Sequence, residues 1–361
     1  MKNWSPDAVN RPPQRDSRRQ SLHGVNQTIA NALSMLLARP LLMLLPLVLD
    51  VCLWLGWQFS PEPFTTWLGK VMIDNGGSDG PAAAREIFEI GERARVNDLL
   101  ATLTPSIFGG VPKDSFLTIL LALFAPNLIG GIDRRHMVND WDEGLFAMLI
   151  PENGLGVFAL ALFFLAGSTV LAVAFRVPQA RAIREEPVSL RGVVIDMLEC
   201  WWKLLVLIAL LLVVGAAIIL PLFIIVGILY LLGINLMALV VLGLLVFGGM
   251  VAMYTYFTID AVVLNRAGPL QAISLSYAVV RENFGPCSRF IFTSMLIFTG
   301  VLQVWDVLVE NPPGVFIALV GNAFLGTGLS IASMLFFNDR LRLLDPNTVL
   351  RAASVSRRWF R

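Results

Sequence analysis

The sequence predicts an all-α, polytopic membrane protein with six transmembrane helices in three hairpins, each preceded by an amphipathic interfacial helix. Three observations carry that prediction. Leu204 to Ile259 is a run of 56 residues without one Asp, Glu, Lys or Arg. One helical crossing takes about 20 apolar residues, so the run holds two crossings joined by a turn near Gly233 to Asn235. The chain as a whole is 56% hydrophobic and 15% charged, at a mean hydropathy of +0.72, whereas soluble chains carry about a quarter charged residues. Finally, apolar stripes at helical spacing stand ahead of each pair of spans.

Met1 to Gln20 mixes Pro6, Pro12 and Pro13 with Arg11, Arg15, Arg18 and Arg19 and has no apolar h-region. Residues 1–20 therefore read as a disordered, basic cytoplasmic tail. Residues 21–59 hold the first stripe (Leu22, Val25, Ile29, Leu33, Leu36) and, opening at Arg39-Pro40, a first span over Pro40 to Phe59. Residues 60–153 form an extracytoplasmic helical subdomain, with a turn cluster from Asn75 to Gly80 and helical composition from Ala83 to Leu103. Within it Phe116 to Ile132 is short for a span and broken by Pro126, which marks it as interfacial or re-entrant.

Residues 154–344 are the membrane domain with spans two to six. Gly154 to Val177 is rich in small residues that allow close helix contact. The second stripe (Leu190, Val193, Val194, Met197, Leu198, Trp201) leads into the charge-free hairpin. The third (Leu270, Ile273, Tyr277, Val280, Phe284) leads into spans over Phe290 to Val309 and Val315 to Phe337, which turn at Asn311 to Gly314. Residues 345–361 are a basic cytoplasmic tail. Three units of one interfacial helix and two spans amount to an internal repeat of periodicity rather than of residue identity.

Charge orients these units. Residues 1–39, 176–203, 260–289 and 338–361 hold 20 of the 27 Lys and Arg but only 10 of the 26 Asp and Glu. Positive charge stays on the cytoplasmic side, so both termini are expected to be cytoplasmic. A net charge of +1 without a concentrated basic face excludes nucleic acid as the expected partner. Membrane lipids, and beyond them another membrane protein, are the partners that remain.

The run Pro269-Leu-Gln-Ala-Ile-Ser-Leu-Ser-Tyr-Ala-Val-Val-Arg-Glu-Asn-Phe284, together with Met334-Leu-Phe-Phe-Asn-Asp-Arg-Leu-Arg342, resembles a broad group of uncharacterised six-span bacterial proteins. That group includes the membrane domain attached to some glycerophosphoryl diester phosphodiesterases. The resemblance covers about Ser189 to Leu344. It implies a fold and a membrane setting, while the soluble catalytic barrel of the phosphodiesterases has no counterpart here. The closing motif departs from the group's Tyr-Tyr-Asp-like stretch, since this chain has Phe336-Phe337-Asn338-Asp339-Arg340.

Candidate chemistry is sparse. Asp50 lies near the middle of the first span, where an ionisable group costs about 2.5–3.5 kcal/mol on insertion scales and needs a partner. It is either a proton or cation site or a buried acid tying the first span to Asn322 or Gln303, the other strongly polar residues placed within spans. Asp196 and Glu199 share a helical face opposite the apolar stripe, which should be solvated. Cys200 and Cys287 are expected simply to pack. Asp133, Arg134, Arg135 and His136, with Asp140, Asp142 and Glu143, read as a solvated linker, although the set could also ligate a cation. No Gly-x-Ser-x-Gly, His-Glu-x-x-His or Walker sequence occurs. Neither a cofactor nor a metal is expected.

Two functions compete on this evidence. The first is a non-catalytic structural or accessory protein acting through lipid or membrane-protein contacts. The second is a transporter or channel using Asp50, with Gln303 and Asn322 lining a polar path. An enzyme using Asp133 to Glu143 at the outer face is a weaker third.

Overall fold

The computed structural model describes residues 24–75, 80–93, 95–108, 148–151, 153–186, 189–232 and 236–344. The expectations for the two tails, for the Gly233 to Asn235 turn, for Phe116 to Ile132 and for the Asp133 to Glu143 cluster lie outside these residues. The described chain is helical apart from a two-residue parallel pairing of β1 (Gln58–Phe59) with β2 (Met148–Leu149). In order the helices are α1 (Val25–Ala38), α2 (Leu44–Leu55), α3 (Glu62–Asn75), α4 (Gly80–Arg93), α5 (Gly154–Ile183), α6 (Leu190–Leu231), α7 (Met237–Thr255), α8 (Thr258–Asn265), α9 (Pro269–Glu282), α10 (Phe284–Leu308) and α11 (Pro312–Leu341). Short 3-10 turns occupy Pro40–Met43 and Val96–Ala101.

Among the described residues five helical stretches are long and apolar enough to cross a bilayer, or six if the bent pair Val25–Ala38 and Pro40–Leu55 is taken as one crossing. These long apolar helices make the protein a helical membrane protein. The first stripe and the expected first span are separate pieces: Arg39 ends α1, Pro40 starts a 3-10 turn that runs into α2, and the chain bends by 102° between Ala38 and Pro40. The helix of the span ends at Leu55 rather than at the expected Phe59. The α-helix that follows is 12 residues long, about 18 Å at 1.5 Å per residue, against a hydrocarbon core of about 30 Å. Proline cannot continue the α1 hydrogen-bond ladder, so the stripe and the span became separate pieces.

The second stripe differs in the opposite way. No breaker separates Leu190 from the charge-free run, so stripe and span form one helix of 42 residues, α6, about 63 Å long. The third stripe is a separate helix, α9, because Gly268-Pro269 starts it and a single residue, Asn283, interrupts the ladder before α10.

Burial is unevenly shared. In its most apolar window α11 has 61% of residues buried, whereas α6 has 11%. The main core joins α1, α5, the first part of α6 (Cys200, Leu204, Leu207), α8, α9, α10 and α11 and contains a stack of Phe257, Phe290, Phe336 and Phe337. A smaller core gathers Leu49, Leu53 and Trp54 of α2 against Ala101, Ile107 and Phe108 and against Val315, Ala318 and Leu319 of α11. Beyond Ile208, α6 leaves this packing. Leu211, Leu212, Val213 and Val214 are all exposed, and four consecutive residues cover every side of a helix.

The segment from Val96 to Phe108 belongs to the smaller core rather than to a body outside the bundle. Thr104, Ser106, Ile107 and Phe108 are at most 2% exposed. A Cβ added at Gly326 would lie 2.3 Å from Pro105, and one at Gly167 would lie 3.0 Å from Leu100. Gly326 stands 14 residues into α11 and Gly167 13 residues into α5, about 20 Å from the start of each helix. The chain therefore dips half-way along both helices, filling the depth that α2 is too short to occupy.

Candidate functional site

That dip creates a physical problem which Asp50 answers. Backbone N–H groups outside a helix at membrane depth have no water to bond, so non-helical chain survives there only where protein satisfies it. The Asp50 carboxylate is completely buried. Its Oδ1 accepts from the Ser106 hydroxyl, and its Oδ2 accepts from the Ile107 amide at 3.4 Å and from Asn322 Nδ2 at 3.5 Å. Ser106 Oγ in turn accepts from the Phe108 amide at 3.1 Å. One carboxylate thus closes the turn at Ser106 and fastens it to α2 and α11. Of the two partners expected for Asp50, the structure brings Asn322, which is 2% exposed. It does not bring Gln303, which is exposed on α10.

A second buried carboxylate was not singled out by the sequence. Asp260, on α8, is 1% exposed. Arg176 Nη1 of α5 meets its Oδ1 at 2.5 Å, and Ser333 Oγ of α11 donates to its Oδ2 at 2.5 Å. One helical turn on, Ser330 Oγ donates to Gln179 Oε1 at 2.8 Å, again joining α11 to α5. Trp201 Nε1 of α6 donates to Thr169 Oγ1 of α5 at 2.9 Å. The available signal was modest: Arg176 and Asp260 are the charged residues bounding two apolar runs in segments assigned to one side of the membrane.

At the same end a charged network corrects one sequence expectation. Asp196 is not solvated with Glu199. It is 7% exposed, and its Oδ2 takes Arg181 Nη1 at 2.6 Å and Arg266 Nη2 at 2.9 Å. Helix periodicity identified its face correctly, but α5 and the turn after α8 cover that face. Glu199 remains about half exposed and pairs with Lys203 at 2.6 Å. The Asp196 carboxylate, by accepting that bond, holds the Arg266 guanidinium above its ordinary pKa.

The turn itself is capped by cations. Arg266 sits in the left-handed region at φ 51°. Arg184 Nη1 donates to the Val263 and Leu264 carbonyls at 3.1 and 2.8 Å, and Lys203 Nζ to the Arg266 carbonyl at 2.7 Å. These are the oxygens that a helix C-terminus leaves unbonded, and cations there also meet the negative end of the helix dipole. Arg39 Nη1 adds a bond from the end of α1 to the Ala182 carbonyl at 3.1 Å.

The cysteines pack as expected: Cys200 is 1% and Cys287 0% exposed, while Cys52 is exposed. Among the described residues no three His, Cys, Asp or Glu are grouped to hold a metal ion. Comparison of the chain with family models, with curated proteins and with solved structures finds no match. The chemistry available to the described polar groups is therefore read from geometry alone. Hydroxyl, amide and guanidinium donors converge on Asp50, Asp196 and Asp260, and each convergence joins elements distant in sequence.

Proposed function

We propose that this chain is a non-catalytic structural or accessory protein of the bacterial inner membrane, multi-pass with both termini cytoplasmic, that acts through contacts with lipids or with another membrane protein. Its kinship would lie with the six-span group that Pro269 to Phe284 and Met334 to Arg342 resemble. The observation that carries the reading is the occupation of Asp50. A carboxylate that serves a moving proton or cation needs coordination that can change, whereas this one accepts bonds from a hydroxyl, a backbone amide and a side-chain amide that all belong to the fold.

The outward surface supports the same reading. Exposed Leu212, Val213, Leu220, Phe223 and Ile224 on α6, with Leu242, Val246 and Phe247 on α7, offer a wide apolar face. The charged end of the bundle, with Arg181, Arg184 and Arg266, would then be the cytoplasmic one.

Photo-crosslinking from positions 212 and 223 in native membranes tests the proposal, and recovery of one specific membrane protein or one tightly held lipid is the expected result. Recovery of neither counts against it. Flux in vesicles reconstituted with the D50N variant should equal that of wild type, and selective loss of flux would favour the transporter instead.

A further inference from the structure

Arg340, in the last turn of α11, is the buried cation that the ties described above do not use. It is 8% exposed. Its Nε is buried without a hydrogen-bond partner, and among the described residues no carboxylate forms an ion pair with its guanidinium, which lies over the face of the Phe336 ring at 4.9 Å, with Asp339 adjacent in sequence acting on it through its charge. Arg176 and Arg181 at the same end each have an aspartate within 2.6 Å. Removing a guanidinium from water without an anion is costly, and a ring face offsets only part of that cost.

The surroundings indicate where an anion would enter. Phe336 stacks on Phe290 of α10 at 4.6 Å. Arg340 lies one turn beyond Phe336 on α11, and Cys287 lies one turn before Phe290 on α10, so the guanidinium and the first turn of α10 occupy one layer. That helix begins at Asn283 with no side-chain cap, because the Asn283 amide donates instead to the Val279 carbonyl at 3.2 Å. Gly285 is exposed, and a Cβ built there would meet nothing within 4 Å. Arg281, Arg289 and Arg342 are exposed in the last turn of α9, the second turn of α10 and the end of α11, with Glu282 and Asp339 in the same turns. The start of α10 is therefore uncapped, in one layer with an arginine that has no ion pair among the described residues.

We propose that Arg340 holds the phosphate of an anionic glycerophospholipid at the junction of α9, α10 and α11. A planar guanidinium matches a phosphate by paired hydrogen bonds, and the uncapped start of α10 adds the N–H groups of Phe284 and Gly285 and a favourable dipole, Pro286 having no N–H and Cys287 donating to the Asn283 carbonyl. Basic pockets between membrane helices take such headgroups. Apolar Phe284 and Phe292 are exposed on the same helix and would lie along the acyl chains.

The proposal deepens the lipid half of the function above and rests on it. Native mass spectrometry of the intact protein in mild detergent, with phosphatidylglycerol added in steps, is the test. Wild type should carry one lipid to saturation, R340Q should need about tenfold more lipid or greater, and R191Q, at an exposed arginine at the start of α6, should behave as wild type. If R340Q does not fold, R340K serves, together with thermal stabilisation of wild type by phosphatidylglycerol against phosphatidylcholine and inorganic phosphate. Equal lipid occupancy in wild type and R340Q overturns the proposal. So does stabilisation by inorganic phosphate as large as that by the anionic lipid. A protein that still crosslinks a partner from α6 but carries no lipid at Arg340 loses this inference and keeps the broader function.

Discussion

Asp50 and Asp260 are 0% and 1% exposed and each accepts from a serine, yet the partners seen among the described residues differ: a guanidinium for Asp260, neutral donors for Asp50. The difference follows from depth. Arg176 lies 22 residues into the 30-residue α5, about 33 Å along it, near the end that gathers the charged residues. Asp50 meets chain that packs half-way along α5 and α11, where a cation would be costly. Among the described residues, Ser106 and Ile107 of a dipping segment reach it there, with Asn322. One carboxylate neutralises a charge near an end of the bundle, and the other replaces the water that irregular backbone would otherwise require.

The largest effect should come from D260A, which leaves Arg176 buried beside no anion. Breaking a buried pair from one side costs about 3–5 kcal/mol, measured by equilibrium unfolding in mixed micelles. D50A should cost less, about 1–3 kcal/mol, since it strands neutral donors. If D50A proved the more damaging, the contrast between the two sites would be wrong. G326A comes next, because its methyl group would press on Pro105 at 2.3 Å. Overpacking of this kind costs about 1–3 kcal/mol, and faster amide exchange should appear at Ile107 and Phe108 while the Arg176 to Asp260 end stays protected. N322A should be milder, about 0.5–1.5 kcal/mol, as its bond to Asp50 is long at 3.5 Å. C52S, at an exposed position, should leave unfolding unchanged to within about 0.5 kcal/mol.

Much of this contrast could be read from sequence, but not all of it. Apolar runs located the long helices because bilayer thickness translates directly into residue count. Asp50 was also legible as a group in need of a polar partner from another apolar stretch, but the choice between Asn322 and Gln303 was not, and it is Asn322 that bonds it. Ser106 was not legible, because it lies in a long polar segment where serine is unremarkable and nothing local signals a descent into the bundle. The end of the first span at Leu55 rather than Phe59 has the same origin. Pro40 was visible, but the depth left empty by a short α2 becomes meaningful only once Leu100 to Phe108 is seen to fill it. Asp196 was assigned to the right face and the wrong environment, because periodicity fixes a face and tertiary contacts decide what covers it.

The most direct test of the claim that Asp50 is a tie is a double-mutant cycle between Asp50 and Ser106, using D50A, S106A and the double variant in the same unfolding assay. Two groups bonded to each other and to one segment should be coupled, so the double variant should cost less than the two single losses together by about 1 kcal/mol or more. Additivity to within about 0.5 kcal/mol would mean that the carboxylate and the hydroxyl act independently. Asp50 would then be free for another role, and the account would fail.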